Sequence, residues 1–297
     1  MDKLRKNKLA VCLFLLPALI LFTLIIIVPI FMSAYYSLLD WDGMTKGVLI
    51  GLKNYINLFQ SPSAGFVKTL GNALLLALLS VIVQLPISLS FALLLARGIK
   101  GERFFIAVFF IPVLISTVVI GQLWLKIYNP EYGILNASLR CLGLDALTRI
   151  WLGDKQTVLV AVFIPILWQY VGYHMLLMYA GIKSVSLQLR EAAMIDGASS
   201  WKVNRFIIIP MIRPVLRICV IFAVIGSLKA FDLIYVLTNG GPSHASEVPS
   251  TLMVDMIFSR NRYGFGSAIA LFIIFLCFFF ALLIKKIFNM RGVFDET

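Results

Sequence analysis

Charged residues are scarce in this sequence. Of its 297 residues, 13% are Asp, Glu, Lys or Arg, whereas 61% are hydrophobic. Soluble globular domains carry about 25% charged and about 45–50% apolar residues. The shortage of charge therefore excludes an ordinary water-soluble domain, because the excess of apolar residues requires a solvent other than water.

Cysteine and histidine are rare as well, which limits metal and redox chemistry. The four cysteines (Cys12, Cys141, Cys219 and Cys277) show no metal-binding or redox spacing and are interpreted as small apolar residues. With two histidines in the chain, a zinc site is not expected. The phosphate-binding pattern G-x-x-x-x-G-K-S/T does not occur, so we expect this chain to bind neither a nucleotide nor another cofactor.

Long apolar stretches divide the chain. They cover residues 9–39, 69–96, 104–127, 156–182, 214–238 and 263–284. Each exceeds the roughly 20 residues that cross a bilayer as a helix, and none shows the alternation of a barrel strand. We predict an all-α, polytopic membrane bundle of six transmembrane helices, in a single domain over residues 1–297. The first stretch is too long for a signal peptide and is expected to be retained.

The cations predict the orientation of these helices. Of the 26 Lys and Arg residues, 16 fall in the terminal segments and the loops on one side, nine fall in the loops on the other side, and Lys229 lies within a span. The positive-inside rule therefore places both termini in the cytoplasm. The net charge of +12 lies in short clusters between apolar runs, without interleaved exposed aromatics, and so does not indicate nucleic-acid binding.

The longest cytoplasmic loop has a pattern of its own at residues 187–210. Good helix formers precede Asp196-Gly197, a turn dipeptide, and Ser199 or Ser200 can cap a second short helix that runs to Pro210. The pattern predicts a helix–turn–helix at the membrane surface. Such an element is suited to docking in a groove of a partner, although an interfacial loop rich in small residues has the same composition.

Several motifs resemble those of the MalF-type permease subunits of binding-protein-dependent carbohydrate ABC importers. The loop matches the family's E-A-A-x-x-x-G pattern at Glu191, Ala192, Ala193 and Gly197, with Pro210 further on. The resemblance continues along nearly the whole chain, from Asn72 through residues 109–112 and 129–136 to 231–242. The maltose protein itself is longer, so this chain is more similar to the compact sugar and glycerol-phosphate permeases.

The resemblance implies a fold, partners and a mechanism. The fold would be a type I ABC importer transmembrane domain in a bacterial or archaeal cytoplasmic membrane, surrounded by membrane lipid. The expected partners are a nucleotide-binding ATPase dimer that carries ATP and Mg²⁺, a second, MalG-like permease and an extracytoplasmic sugar-binding protein. Residues 187–210 would insert into a cleft of the ATPase. Glu191 would pair with a basic group there, and Ala192, Ala193 and Gly197 would permit close approach.

Ionisable and polar residues within the spans are candidates for the translocation pathway. Lys229 and Asp232 are three residues apart in the fifth span, which predicts one helix face. They are interpreted as lining a cavity together with Tyr235, as a mutually neutralising pair, or, for Asp232, as a solvated group at the outer helix end. Gln169 and His174 in the fourth span are further candidates, although both residue types also serve in helix packing.

The last outer loop begins with Asn239-Gly240-Gly241-Pro242, a turn-forming run expected to shape a re-entrant loop near the binding protein. Three alternative functions remain at this point. A non-sugar solute is compatible with the E-A-A loop. An ion-coupled secondary transporter would need a relay of carboxylates inside the membrane, and a membrane enzyme would need a paired acid and base.

Overall fold

The computed structural model describes residues 8–61 and 65–289. Almost all of the regular structure is helical, and the described strands are a two-residue pair, β1 (Leu39–Asp40) and β2 (Val48–Leu49). This confirms the predicted all-α bundle. The helices in chain order are α1 (Lys8–Phe22), α2 (Val28–Tyr36), α3 (Lys53–Gln60), α4 (Phe66–Leu79), α5 (Leu85–Leu95), α6 (Glu102–Leu114), α7 (Thr117–Ile127), α8 (Ile134–Cys141), α9 (Val158–Lys183), α10 (Leu187–Ile195), α11 (Ser200–Val203), α12 (Ile209–Met211), α13 (Arg213–Leu228), α14 (Asp232–Thr238), α15 (Pro249–Val254) and α16 (Tyr263–Asn289).

Within the described residues, five helical segments are long and apolar enough to cross a membrane, and several of them join two helices through a π-helical turn or a short break. They are Leu13–Tyr36, Phe66–Leu95, Val158–Lys183, Arg213–Thr238 and Tyr263–Phe288. A sixth span results if α6 and α7 together form one crossing. With that pair counted as one crossing, the described residues contain the six spans that the sequence predicts.

The third predicted span, 104–127, is not one continuous helix. The axes of α6 and α7 differ by 98°. Pro112 lies inside α6 and has no N–H to donate, and the next turn is not continued: Ile115 (ψ 139°) and Ser116 (ψ 134°) are extended. The apolar run is thus real, but the backbone turns sharply in the middle of it.

The described chain packs as two compact units. One contains residues 8–61 and 253–274, and the other contains residues 65–252 and 275–289. The single domain over residues 1–297 stays a prediction.

In the first unit, the β1–β2 turn packs on aromatic rings. The Trp41 ring lies 4.5 Å from that of Tyr36 and 5.6 Å from that of Tyr263. The chain passes so close to Gly264 that an added Cβ would lie 2.0 Å from the carbonyl oxygen of Leu39, so this position requires glycine.

Asp42 organises the turn between β1 and β2. Its Oδ1 accepts hydrogen bonds from the backbone N–H groups of Thr45 (2.8 Å) and Met44 (3.0 Å) and from Thr45 Oγ1 (2.8 Å). The N–H donors of Thr45 and Met44 lower the pKa of Asp42 from 3.8 to about 2, because they stabilise the charged form.

We therefore expect the turn to keep its structure until the pH falls below about 4. A depressed folded-state pKa means that the stabilisation is complete above the unfolded value and is lost as the pH falls through the folded value. The indole N–H of Trp41 donates to Thr45 O (2.9 Å), so its NMR signal reports on the turn. The signal should titrate with a midpoint near pH 2, and the isosteric Asp42→Asn variant should show no such transition. A midpoint near 3.8 in the native protein would contradict the assignment.

In the second unit, α9 is the central helix. Of the residues in its most apolar segment, 56% are buried. It packs against α5, where Ser88 Oγ donates to Val171 O (2.9 Å), and against α6, where Gly172 faces the backbone of Phe109. Small residues allow this close approach of helices, as is common in membrane bundles.

Candidate functional site

The predicted helix–turn–helix is present at residues 187–210. Helix α10 ends with Asp196 as its C-cap, and Gly197 follows with φ +81°. The N–H of Gly197 donates to Met194 O (3.1 Å) and that of Ala198 to Ala193 O (2.9 Å), which satisfies carbonyl groups at the helix end. The Ser199 side chain then accepts from Lys202 N (3.5 Å) as the N-cap of α11.

Most of this segment is exposed. Glu191, Ala192, Asp196 and Pro210 are exposed, whereas Ala193 is half-buried and packs with Ala198 against the apolar core of the second unit. Large apolar side chains also point outward, among them Ile195 (85% exposed) and Trp201 (67% exposed).

Pro210 does not end the segment, contrary to the sequence prediction. It lies at the start of the short helix α12, and the chain breaks at Ile212 (φ −87°, ψ 9°) before α13 begins. The helical backbone is continuous from Ser200 to Met211 through the π-helical turn Asn204–Ile208, so Pro210 is accommodated two residues after that turn.

A polar contact that the sequence did not reveal joins α6 to α9 beside this segment. The Glu102 carboxylate accepts from Tyr179 OH and lies 3.2 Å from Lys183 Nζ. Glu102 is the first residue of α6, and Lys183 is the last residue of α9, so the contact ties two helix ends just before α10 begins. The sequence did not predict this contact because Glu102, Tyr179 and Lys183 lie in two segments that are distant in sequence.

The outer loop after α14 is a compact, hydrogen-bonded structure. Asn239 (φ 47°) and Gly240 (φ 82°) have positive φ, and the Gly241–Pro242 peptide bond is cis. The N–H of Gly241 donates to Thr238 O (2.8 Å). Two further contacts close the loop: Ser246 Oγ donates to Gly241 O (2.6 Å), and the hydroxyls of Thr238 and Ser246 lie 2.8 Å apart.

Helix α4 anchors the far side of this loop. Asn72 Nδ2 donates to the carbonyl oxygens of Ala245 (3.0 Å) and Glu247 (2.8 Å). Glu247 is buried and contacts His244: Glu247 Oε2 lies 3.0 Å from His244 Nδ1. The loop is therefore held by side chains on both sides.

A cavity of about 430 Å³ lies among the helices of the second unit, and four of the predicted pathway residues line it: Gln169, His174, Lys229 and Asp232. Tyr235 does not line it. Its ring is 45% exposed and stacks on Phe231 at 5.1 Å.

Other polar and aromatic residues complete the lining. The uncharged polar residues among them are Ser80, Gln84, Thr117 and Ser227, and the aromatic residues are Tyr170, Tyr173, Phe222 and Phe231. Ser80 and Gln84 were not predicted, because single uncharged polar residues in the second span carry no sign of what their helix packs against. A glutamine in the middle of a span is the feature that would have indicated them.

Lys229 and Asp232 do not share a helix face, which corrects the prediction from their spacing. Helix α13 ends at Leu228, Phe231 is non-helical (φ −143°, ψ −65°), and Asp232 begins α14. Just before the break, Ser227 Oγ donates to Ala223 O (2.9 Å), a contact that often bends helices. The ion pairs of the described residues do not include one between Lys229 and Asp232.

Two polar atoms at this cavity lack a partner within the described part of the chain. They are Gln169 Oε1 and His174 Nδ1, and both side chains are only 3% exposed. Buried polar groups are nearly always hydrogen-bonded in folded proteins. Both side chains therefore retain unused hydrogen-bonding capacity beside this cavity.

The sequence matches a known protein family over most of its length. A family model described as "Binding-protein-dependent transport system inner membrane component" matches residues 84–291. The chain is 38% identical over 289 residues to the probable ABC transporter permease protein YurN of Bacillus subtilis (strain 168), covering 96% of this chain and 97% of that protein. It is 31% identical over 290 residues to the trehalose/maltose transport system permease protein MalF of Thermococcus litoralis, covering 97% and 96%.

A solved structure supports the fold. A chain of a bacterial ABC transporter involved in the import of the acidic polysaccharide alginate matches with a TM-score of 0.83 at 22% identity, covering 98% of each chain. This likeness concerns the architecture of the bundle.

Proposed function

The chain belongs to the binding-protein-dependent transport system inner membrane components, and from this we propose that it moves a sugar or oligosaccharide into the cytoplasm as one permease of an ABC importer. The observation that carries the proposal is the cavity of about 430 Å³ and its mixed polar and aromatic lining. Sugars present both hydroxyl groups and apolar ring faces, and such sites use directional polar groups on an apolar wall. The relative from Thermococcus litoralis is named for trehalose and maltose transport, which supports this substrate class.

The energy for transport would come from separate subunits. The sequence has no phosphate-binding loop, so ATP and Mg²⁺ would be held by a nucleotide-binding ATPase dimer that docks on residues 187–210. The exposed Glu191 and the outward-facing Ile195 and Trp201 are available for that contact. Both termini would lie in the cytoplasm, as the distribution of cations favours.

Two further partners complete the proposed importer. A second, MalG-like permease would complete the translocation path, and an extracytoplasmic sugar-binding protein would deliver the substrate. Affinity purification of the tagged chain in mild detergent should recover the ATPase and the second permease together. Recovery of this chain alone as a stable monomer would contradict the assembly.

The cavity assignment predicts a specific loss of uptake. In proteoliposomes with the assembled importer, Gln169→Leu should lower uptake of labelled maltose, trehalose or a longer glucan by about tenfold or more, because a sugar hydroxyl loses a buried partner. Gln122→Leu is the matched control: it makes the same change in α7, where the side chain is exposed and does not line the cavity. Equal uptake by the two variants would rule out Gln169 as a substrate contact.

A further inference from the structure

A second concave site lies outside the spans, in the connection between α7 and α9. It is a cleft of about 790 Å³, larger than the cavity among the helices. Three cationic side chains, Arg140, Arg149 and Lys155, line it and are all exposed. We call these residues and their surroundings the outer cleft.

The wall of the outer cleft is held in place by one buried amide. Asn136 is 2% exposed, and its Nδ2 donates to Arg149 O (3.0 Å) and Pro130 O (3.3 Å). Its Oδ1 accepts from Trp151 Nε1 (2.8 Å) and from the N–H of Arg149 (3.4 Å). All four hydrogen-bonding positions of this amide are thus used to fix the backbone on which Arg149 stands, so the cleft is formed before any partner arrives.

The charge of the outer cleft is not balanced internally. Among the described residues that line it, Asp154 is the one carboxylate, and its Oδ1 accepts from the N–H of Gln156 (2.9 Å). The ion pairs recorded for the described residues include none with the three cations. Arg140 donates to Pro130 O (3.2 Å), which orients its guanidinium but does not neutralise it.

The position of these cations needs an explanation. In the orientation proposed above, this connection faces the outside, where the positive-inside rule disfavours Lys and Arg. Three of the nine outer cations nevertheless line this one cleft. Arginine is also the residue that binds carboxylates in a bidentate geometry and that is enriched in protein interfaces.

We propose that the outer cleft receives carboxylate side chains of the extracytoplasmic binding protein, with Arg140, Arg149 and Lys155 as its anchoring charges. This inference rests on the proposed function, because it specifies how one of the proposed partners binds. An open, preformed and wide cleft suits projecting acidic side chains of a folded protein. Complementary charge at such a contact accelerates association and specifies the docking orientation.

The test measures binding of the purified binding protein to the assembled importer in lipid nanodiscs. The association rate should fall as salt is raised from 50 to 300 mM, because the Debye length then shortens from about 14 Å to about 6 Å. The double variant Arg149→Glu, Lys155→Glu should weaken binding about tenfold or more. Lys126→Glu is the matched control, because Lys126 is an exposed outer cation that does not line the cleft.

Each outcome is informative. Equal binding by the cleft variant and the Lys126→Glu control would overturn the proposal while leaving the importer function intact. No binding to the native importer, together with no stimulation of its ATPase, would overturn the proposed function as well. A variant that binds the protein normally but loses affinity for free glucuronate, or for anionic lipid headgroups, would assign the cleft to that anion instead. If Arg149→Glu, Lys155→Glu fails to assemble, the neutral Arg149→Gln, Lys155→Gln variant and the salt dependence of the native protein decide the question.

Discussion

Gly172→Ala is expected to lower the melting temperature of the purified protein by roughly 6–12 °C, the shift that corresponds to about 3 kcal/mol of overpacking. A Cβ at this position would lie 1.8 Å from Phe109 O and 2.4 Å from Phe109 C. Both atoms belong to the backbone of α6, so no side-chain rotation relieves the clash and the two helices must separate. Separation of α6 from α9 would open the core of the second unit.

The control for this effect is Gly226→Ala. Gly226 lies in α13, and a Cβ added there meets no atom of the described residues within 4 Å. Alanine is a better helix former than glycine by roughly 1 kcal/mol, so this variant should melt at the native temperature or slightly above it. Thermal unfolding in detergent, with size-exclusion chromatography to check dispersity, compares the two. If Gly172→Ala were as stable as Gly226→Ala, the close crossing of α6 and α9 would be wrong.

Uptake is expected to be nearly abolished by Gly197→Val, with ATP hydrolysis by the partner subunits retained. Gly197 has φ +81°, a conformation that costs an L-residue about 1–2 kcal/mol, and a β-branched residue more. In the part of the chain that the structure describes, no neighbouring atom lies within 4 Å of the added Cβ, so the effect would come from the backbone alone. The turn after α10 would change conformation. Residues 187–210 would then no longer hold α10 and α11 in their native relative orientation.

Gly197→Asn separates backbone strain from general damage. Asparagine tolerates positive φ, so this variant should keep most of the uptake that the valine variant loses. The measurement is labelled-sugar uptake and ATPase rate in the same proteoliposomes. Equal activity of the two variants would show that the positive φ of this turn is not required for coupling.

Glu191→Ala should give the same uncoupled behaviour for a different reason. Glu191 is exposed, so its loss should not disturb the fold, but the proposed ATPase contact would lose its charged group. Gln188→Ala, an equally exposed change on the same helix, should leave uptake unchanged. Normal uptake by Glu191→Ala would remove this residue from the coupling contact.

Much of this architecture could be predicted from the sequence. The spans follow from the length of the apolar runs, since that property depends only on composition over about 20 residues. The turn at Gly197 follows from a glycine flanked by a helix-forming segment and a capping serine. Both features depend on residues that are close together in sequence, so they can be predicted from the sequence.

The helix breaks and the cavity depend on contacts between residues that are distant in sequence. A count of charges treats residues 104–127 as uniform, and so it could not locate the bend at Ile115 and Ser116. The spacing of Lys229 and Asp232 predicts one face only if the helix continues between them, and it does not. The contributions of Ser80 and Gln84 to the cavity become visible only when their helix packs beside α9 and α13.

The hydrogen-bonded outer loop has a consequence for its exchange with solvent. A run of Asn, Gly, Pro and Ser would ordinarily open on its own, and its amide protons would be replaced by deuterium almost as fast as in an unfolded peptide. Here the amides of Gly241, Ala245 and Ser246 donate to carbonyl groups of the same loop, and Asn72 ties the loop to a membrane helix. Deuterium uptake at these amides should therefore be slow, because it requires the hydrogen bonds inside the loop to open while Asn72 still holds the loop to α4. The composition of residues 239–246 is typical of a hinge, but this outer loop should instead behave as a rigid segment.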